Sequence, residues 1–357
     1  MKSKNKFQIG LFGINSSSGL SLTKHKDRWK ADWKDIKKLV TFCDKSNFDF
    51  ILPLSKWQGW GGDTNPNSLS YETLNFASIL LGITKKIYFY STTHIPFIHP
   101  VYAARSLSTI SSYYKGRLGL NIVCGWNNNE YKMFFNESKP LNQNRYEYGE
   151  EWIKIFKLLI NKKKNNINFN GKFFKIKSAN CEPKSFEQPH PNIVSAAYSE
   201  QGRNFAIKNC DTIFTMFESV ERTKKINIEL INKAKRKGND IKIFTPIHII
   251  ARKTASEADD FHYDYSQKRI DNQATKNFIN NVASAGKKSL FKIMMSKKNI
   301  IASSCGSKIV KGSFKDVSEQ LREIKKSNFS GAAFSFVNYL AEIKDFKKMI
   351  IDKKVLD

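Results

Sequence analysis

The feature that most constrains the fold is a regular alternation of short apolar runs with helical patterns along most of the chain. Each unit of strand, loop and helix takes roughly 35 to 40 residues, and such alternation is typical of a parallel sheet with helical crossovers. Eight strand signals favour a single closed (β/α)8 TIM barrel, an α/β fold, over an open sheet. The predicted strands are residues 7–12, 48–54, 86–92, a run from Arg117 that ends at Gly125, 192–196, 212–215, 241–251 and 331–336.

Helical spacing of apolar residues predicts a helix after most strands. Ser313 and Asp316 form a capping-box pattern that starts the last of these helices. Residues 127–144 are predicted as a polar loop, and a small hairpin is predicted around Phe173 and Phe174. The segment 253–311, predicted to be mainly helical, is an insertion between strands seven and eight that is large enough to act as a lid over a single 1–357 domain. The predicted helices are residues 32–45, 71–81, 99–112, 145–160, 199–208, 220–237 and 316–326.

The formal net charge of +28 would ordinarily suggest nucleic acid or an anionic membrane as a partner. The lysines, however, are scattered over every segment beside abundant Asn and Ile, which is typical of compositional drift rather than of a dedicated patch. We therefore expect neither a nucleic-acid nor a membrane partner. The charge can still raise the local concentration of an anionic ligand.

Five cysteines occur without a C-x-x-C pair or metal-ligand spacing, so we expect free thiols in a reducing compartment and no metal site. No apolar run approaches the roughly 18 residues of a membrane span. The run 7–14 is too short and too rich in Gly for the core of a signal peptide. These features favour a cytoplasmic protein.

The stretch from Arg117 to Tyr131 gives the first indication of a site. Asn121 lies inside its apolar run, where an unpaired buried amide costs roughly 1 to 3 kcal/mol. Gly125 then ends the strand, and a polar, aromatic loop follows. Most buried Asn side chains are satisfied by neighbouring backbone. The alternative is that Asn121 faces a ligand at the carboxyl end of the barrel.

Other candidates also follow strand ends. A lone His is more often structural, but the position of His94 after strand three favours a functional role. Ser199 begins a predicted helix, where free N–H groups and the helix dipole attract a dianion, and Arg145 could supply the countercharge. The alternative for Ser199 is a simple helix cap. The glycine-rich loop 55–62 is a weak signal when taken alone.

Three separated segments, residues 50–62, 116–131 and 145–152, resemble the bacterial-luciferase-like, flavin-dependent monooxygenases. The most specific features are the pattern Gly-Arg-x-Gly-x-Asn-x-Val-x-Gly-Trp at 116–126 and the downstream pair Arg145 and Tyr146. Within that superfamily the chain resembles the branch of dimethylsulfone, alkanesulfonate and pyrimidine monooxygenases. The likeness runs from Phe7 to about Phe346 and is looser after Lys253.

This resemblance implies that reduced FMN lies across the carboxyl-terminal mouth of the barrel. It also assigns expected roles to individual positions. His94 and Trp126 are the candidate catalytic residues, close to the reacting oxygen and the substrate, and Trp57 joins them in the expected substrate pocket. Cys124 lies in the same region but lacks an evident base, so it is not expected to act as a nucleophile. The positions that match flavin contacts are Ser55, Lys56, Asn121, Glu130, Arg145 and Tyr146, with Ser199 at the flavin phosphate.

The implied reaction uses O2 and reduced FMN to oxidise a small organic compound. No Gly-x-Gly-x-x-Gly motif follows strand one, so a separate NAD(P)H-dependent flavin reductase is the expected source of reduced flavin. Homodimers are usual in this family, and we expect a homodimer or a higher homo-oligomer.

The expected substrate is a sulfone or an alkanesulfonate. The 127–129 and 15–18 loops, however, offer amides and hydroxyls rather than a dedicated Arg for a sulfonate. A pyrimidine or amide ring-opening monooxygenase of the same fold is the nearest alternative. Rivals of other classes are a non-catalytic flavin-binding barrel and a nucleic-acid binder, the latter predicting a steep loss of affinity with salt.

Overall fold

The computed structural model describes residues 6–135, 144–284 and 288–356. Its main sheet contains nine strands, all paired in parallel, and a separate two-stranded hairpin lies between the fourth and fifth barrel strands. The strands in chain order are β1 (Gln8–Phe12), β2 (Phe50–Leu52), β3 (Tyr88–His94), β4 (Leu118–Val123), β5 (Ile167–Asn170), β6 (Lys175–Ala179), β7 (Ile193–Ala196), β8 (Thr212–Phe214), β9 (Lys242–Arg252), β10 (Lys308–Ser313) and β11 (Gly331–Ser335).

Eight of these strands close into a ring. The sheet runs from β9 through β11, β1, β2, β3, β4 and β7 to β8, and β8 pairs again with β9. The predicted (β/α)8 TIM barrel is therefore confirmed, as is the hairpin around Phe173 and Phe174. The helices are α1 (Trp33–Lys45), α2 (Thr73–Leu81), α3 (Pro100–Tyr114), α4 (Asn128–Phe135), α5 (Arg145–Ile160), α6 (Glu200–Asn209), α7 (Val220–Arg236), α8 (Ala255–Tyr263), α9 (Asn272–Ser284), α10 (Lys288–Ser296), α11 (Lys298–Ser304), α12 (Phe314–Lys325) and α13 (Tyr339–Phe346).

Aromatic side chains fill the amino-terminal part of the barrel interior. Phe50 and Phe244 stack there with ring centroids 5.1 Å apart, and Tyr90 and Phe214 belong to the same cluster. Large rings pack such a lumen without leaving voids. The interior is thus a solid core, and any ligand must lie at the carboxyl ends of the strands.

The insertion between β9 and β11 contains a strand that sequence patterns missed. β10 pairs in parallel with the second half of β9, from Ile247 to Arg252, outside the ring. β9 pairs with the ring strands β8 and β11 only over residues 242–248, so its last residues have a free edge that β10 occupies. The prediction of a mainly helical segment was therefore incomplete. The capping box of Ser313 and Asp316 follows β10 and starts α12, as predicted.

The prediction of a polar loop over residues 127–144 was wrong in its first half, because α4 covers residues 128–135. Asn127 starts this helix: its Oδ1 accepts from the backbone N–H of Asn129 at 3.2 Å, and its carbonyl accepts from the N–H of Tyr131. Three consecutive Asn residues are typical of a loop, but the first of them acts here as a helix-start residue. Residues 136–143 of the predicted loop lie outside the described residues.

The helical part of the insertion lies against the loops that leave β1 and β2. The backbone N–H of Leu22 donates to Ala302 at 2.7 Å, and the N–H of Asp271 donates to Leu22 at 3.0 Å. Trp60 packs there with Phe278, with ring centroids 5.0 Å apart. The insertion therefore packs against the loops that follow β1 and β2. Within the described ranges, no helix is both long enough and apolar enough to cross a membrane.

Candidate active site

The Asn121 side chain faces the barrel mouth, and the nitrogen of its amide is hydrogen-bonded to Thr92. Thr92, its partner in the register of β3 and β4, donates its hydroxyl proton to the carbonyl of Pro53 at 2.5 Å. The Thr92 oxygen can therefore only accept from Asn121, so the Asn121 Nδ2 must be the atom that contacts it, at 3.1 Å. The Asn121 Oδ1 is left buried without a hydrogen-bond partner among the described residues. Because such an atom is costly in the absence of a ligand, the arrangement favours the binding interpretation of Asn121.

Lys56 and Glu130 form a buried ion pair at the same end of the barrel. The Lys56 Nζ lies 2.7 Å from the Glu130 Oε1, which also accepts from the backbone N–H of Trp57 at 3.2 Å. The Lys56 ammonium lies 3.8 Å from the centre of the Trp60 ring. Burial lowers the pKa of Lys56, and the charge of Glu130 opposes that shift. The loop after β2 and helix α4 are thereby tied together.

His94 is the last residue of β3 and completes this cluster. Its Nδ1 lies 3.5 Å from the Glu130 Oε2, an oxygen with no hydrogen-bond partner in the described part of the chain. Burial lowers the pKa of His94 to about 4, an effect that Glu130 opposes and Lys56 reinforces. The imidazole is therefore neutral near pH 7 and can exchange a proton without carrying a permanent charge.

Tyr146 and Ser199 meet at the start of α6. The Tyr146 hydroxyl lies 3.3 Å from the Ser199 Oγ, which accepts from the backbone N–H of Gly202 at 3.2 Å. Ser199 is thus a helix cap, and the cap is placed beside a second hydroxyl. Arg203, on the first turn of the same helix, has a buried Nε with no partner among the residues described. Two hydroxyls at a helix amino terminus suit an anion, and Arg203 adds a positive charge on the same helix turn.

Arg145 lies next to this group at the start of α5. Its Nη1 donates to the carbonyl of Gly125 at 3.2 Å, and its guanidinium carbon lies 4.9 Å from the centre of the Tyr146 ring. Gly125 has a φ of +95°, and a Cβ there would lie 1.8 Å from the Tyr131 hydroxyl. Only glycine allows the chain to turn at this point. Gly125, the predicted end of the strand, therefore links the chain after β4 to Arg145 through its carbonyl group.

The two predicted tryptophan walls lie in different surroundings. Trp57 is 38% exposed and packs edge-on against Phe134 with ring centroids 5.0 Å apart. Trp126 packs near Trp60, at 6.3 Å, in the apolar cluster that includes the insertion. Ser55 is half-buried at the start of the loop after β2. The structure thus brings Lys56, Trp57, His94 and Glu130 into one cluster and Tyr146 and Ser199 into another.

Sequence patterns did not single out His248, which also faces the mouth. It lies on β9 four residues after the interior residue Phe244, so both side chains point to the same face. Its Nδ1 lies 2.9 Å from the Ser335 Oγ, whereas its buried Nε2 has no partner in the described ranges. Burial lowers the pKa of His248 to about 3. A His inside the apolar run Ile247 to Ile250 was the signal that could have identified it.

Cys124 follows directly after β4. Burial raises the pKa of Cys124 to about 12, so its thiolate is negligible near pH 7. All five cysteines are free. Residues 6–135, 144–284 and 288–356 contain no group of three His, Cys, Asp or Glu side chains suited to a metal ion. The polar groups described above are buried acceptors, the Lys56–Glu130 pair and the two hydroxyls at the start of α6.

Known proteins resemble this chain in sequence and in fold. The chain is 29% identical over 275 residues to an FMNH2-dependent dimethylsulfone monooxygenase of Pseudomonas putida, covering 76% of this chain and 73% of that protein. It is 28% identical over 255 residues to the pyrimidine monooxygenase RutA of Acinetobacter baylyi, covering 70% of this chain and 68% of that protein. The crystal structure of DmoA from Hyphomicrobium sulfonivorans superposes with a TM-score of 0.83 at 18% identity, over 98% of this chain and 88% of that one.

The family of luciferase-like monooxygenases matches residues 9–330, which span all the barrel strands except the last. The match includes every site residue described above except Ser335. The chain is a member of the luciferase-like monooxygenase family.

Proposed function

We propose that the protein is the oxygenase of a two-component system, which uses reduced FMN and O2 to oxidise a small organic compound. The observation that carries this proposal is the buried Asn121 Oδ1 at the mouth of the barrel, which has no hydrogen-bond partner in the part of the chain that the structure describes. It is supported by the relatives that are FMNH2-dependent or act on pyrimidines. We further propose a cytoplasmic location, a separate NAD(P)H-dependent flavin reductase, a homo-oligomeric state and a covering role for the insertion.

The residues present fit FMN at both ends. An isoalloxazine ring carries an imide N–H, which matches the Asn121 Oδ1 as an acceptor. The terminal phosphate matches the start of α6, where Ser199 and Tyr146 meet, with Arg145 beside Tyr146 and Arg203 on the first turn of the helix. Lys56 and Glu130 would fix the loop after β2 against the ring, and Ser55 precedes them.

When bound, reduced FMN supplies the two electrons that activate O2, so that one oxygen atom enters the substrate and the other leaves as water. The chain's own residues position and shield this chemistry. Neutral His94 can give a proton to, or take one from, an oxygen at the mouth, with the Glu130 Oε2 lying 3.5 Å from its Nδ1. Trp57, Trp126 and the insertion would exclude water from the ring.

There are two candidate substrate classes. A sulfone or an alkanesulfonate is the first, by similarity to the dimethylsulfone monooxygenase. A pyrimidine or another cyclic amide is the second. It is favoured by the buried acceptors other than Asn121 that have no partner among the described residues, because such compounds carry N–H donors.

The test is an oxygen-uptake and product screen with enzymatically reduced FMN against methyl sulfones, alkanesulfonates and uracil. We expect one class to be oxidised with consumption of O2 beyond that of free reduced flavin. Tight FMN binding without any product would favour a non-catalytic flavin-binding barrel. Absence of FMN binding would overturn the proposal.

A further inference from the structure

A polar cleft of about 710 Å3 lies beside the candidate active site. It is bounded by the loop after β2, the start of α4 and helix α9 of the insertion, and Lys56 lines its inner side. Seven of its thirteen described lining residues are Asn or Gln. The volume is in the range of small-molecule sites. None of these amides belongs to the flavin contacts proposed above.

Asn281, on α9, lines this cleft and carries a buried acceptor atom. Asn281 is only 7% exposed, and its Nδ2 lies 2.7 Å from the Asn127 Oδ1. Because the Asn127 Oδ1 also accepts from the backbone N–H of Asn129, it must be the oxygen, and Asn281 must turn its nitrogen towards it. The Asn281 Oδ1 is thereby fixed, without a hydrogen-bond partner among the residues that the structure describes.

The charges around the cleft disfavour an anion on its buried side. The Lys56 ammonium is already engaged by Glu130 at 2.7 Å, and the remaining Glu130 oxygen adds negative character nearby. Lys132, the other lysine of the lining, is exposed. A sulfone or sulfonate offers only acceptor oxygens, which would repel the Asn281 Oδ1 rather than satisfy it. A group that donates a hydrogen bond would satisfy it.

We propose that the amide-lined cleft binds the polar end of the substrate, and that this end carries an amide or imide N–H directed at the Asn281 Oδ1. The proposal depends on the proposed function only in calling the ligand a substrate. It selects between the two substrate classes above: a neutral compound with an N–H donor is preferred over a sulfone. Asn281 would be a specificity-determining residue supplied by the insertion.

The experiment is isothermal titration calorimetry on the full-length protein with FMN bound, using pairs of ligands that differ only in N-methylation. The pairs are uracil and 1,3-dimethyluracil, succinimide and N-methylsuccinimide, and acetamide and N,N-dimethylacetamide, with dimethylsulfone as a ligand that lacks a donor. We expect at least one unmethylated member to bind about tenfold or more tightly than its methylated partner, because a buried acceptor rejects an analogue without the donor.

Three variants assign the preference to the Asn281 oxygen. In Asn281→Ala the affinity of the unmethylated ligand should fall about tenfold, with little change for its methylated partner. Asn127→Ala removes the bond that fixes the orientation of the Asn281 amide, so the preference for the donor should fall in this variant as well. Asn272→Ala, an exposed position on the same helix, should have no effect. A KM increase without a loss of kcat should follow in Asn281→Ala for any ligand that is turned over.

The proposal is overturned if no donor-bearing ligand binds at about 10 mM, where even weak specific binding is measurable. It is also overturned if the methylated partners or dimethylsulfone bind as tightly as the donor-bearing ligands. A preference that stays unchanged in Asn281→Ala would assign the Asn281 oxygen to bound water and overturn it too. If FMN itself does not bind, the proposed function fails. The same titrations on the flavin-free protein then still decide whether the cleft selects an N–H donor.

Discussion

The ammonium of Lys56 lies 2.7 Å from the carboxylate of Glu130, and the two side chains are only 6% and 1% exposed. They come from different strand-to-helix connections, one after β2 and one on α4. Burying two charges is costly, and the pair recovers that cost only while both partners are present. The pair therefore makes the geometry of the mouth dependent on two residues that are 74 positions apart in the chain.

Glu130→Gln should destabilise the protein by about 3 to 5 kcal/mol, because it leaves the Lys56 ammonium buried and unpaired. Urea denaturation of wild type and variant measures this change. The double variant with Lys56→Met should recover most of the loss. The matched control is Glu147→Gln, which removes an exposed pair of 2.9 Å with Lys172 and should cost less than about 1 kcal/mol. Equal effects at both positions would contradict the prediction.

His94 should contribute a pH dependence to stability. Its pKa of about 4 in the folded protein is below its ordinary 6.5, so between these values the unfolded chain binds more protons and folding stability falls as the pH falls. The contribution is complete above pH 6.5, is lost progressively down to pH 4, and amounts to about 3 kcal/mol. Comparing the pH dependence of stability in wild type and in His94→Gln separates the contribution of His94 from that of the other buried histidines. A difference that stays constant from pH 8 to pH 4 would exclude this account.

Asn121→Leu should separate stability from binding. The change removes a buried oxygen that has no partner within the described ranges, so the free energy of unfolding should fall by no more than about 1 kcal/mol and can rise. The affinity for FMN should fall about tenfold, as measured by fluorescence titration. Asn227→Leu is the control, because the Asn227 Oδ1 is also buried and unpartnered in the described chain but lies on α7. An unchanged FMN affinity in Asn121→Leu would remove Asn121 from the flavin site.

Ser199→Ala and Ser219→Ala form a matched pair of helix caps. Each serine accepts from the N–H three residues ahead, at 3.2 Å on α6 and 3.3 Å on α7. Both changes should cost about 1 kcal/mol of stability. Only Ser199→Ala should weaken FMN binding, and it should leave riboflavin binding unchanged because riboflavin lacks the phosphate. If both variants bind FMN like wild type, Ser199 is a structural cap alone.

Cys124 should be dispensable for chemistry. Since burial raises its pKa to about 12, alkylation by iodoacetamide at pH 7.5 should be at least about a hundredfold slower than for an ordinary exposed thiol. Cys124→Ser should keep the turnover rate of the wild type. Mass spectrometry of the alkylated protein and a steady-state assay measure the two effects, and a rapid reaction at this thiol would contradict the assignment.

Local patterns were sufficient wherever one local rule decided the conformation. The period-two apolar runs located the eight ring strands, and Ser313 with Asp316 started α12 as expected, because a cap and its helix lie within four residues. The same kind of rule failed for α4, since the run of three Asn residues at 127–129 is compatible with a loop and with a helix start. It also failed for β10, whose existence depends on a free edge of β9.

The sequence by itself determined the order of strands and helices, the family resemblance and the residues at the strand ends, because these depend on side-chain type and short spacing. Only the tertiary structure decided which of those residues meet. It joined Lys56 to Glu130 and His94 and brought His248 to the mouth. It also left the amide oxygens of Asn121 and Asn281 buried without a partner among the described residues. The physical reason is that a hydrogen bond or a buried charge pair depends on distances between segments far apart in the chain, which no local pattern specifies.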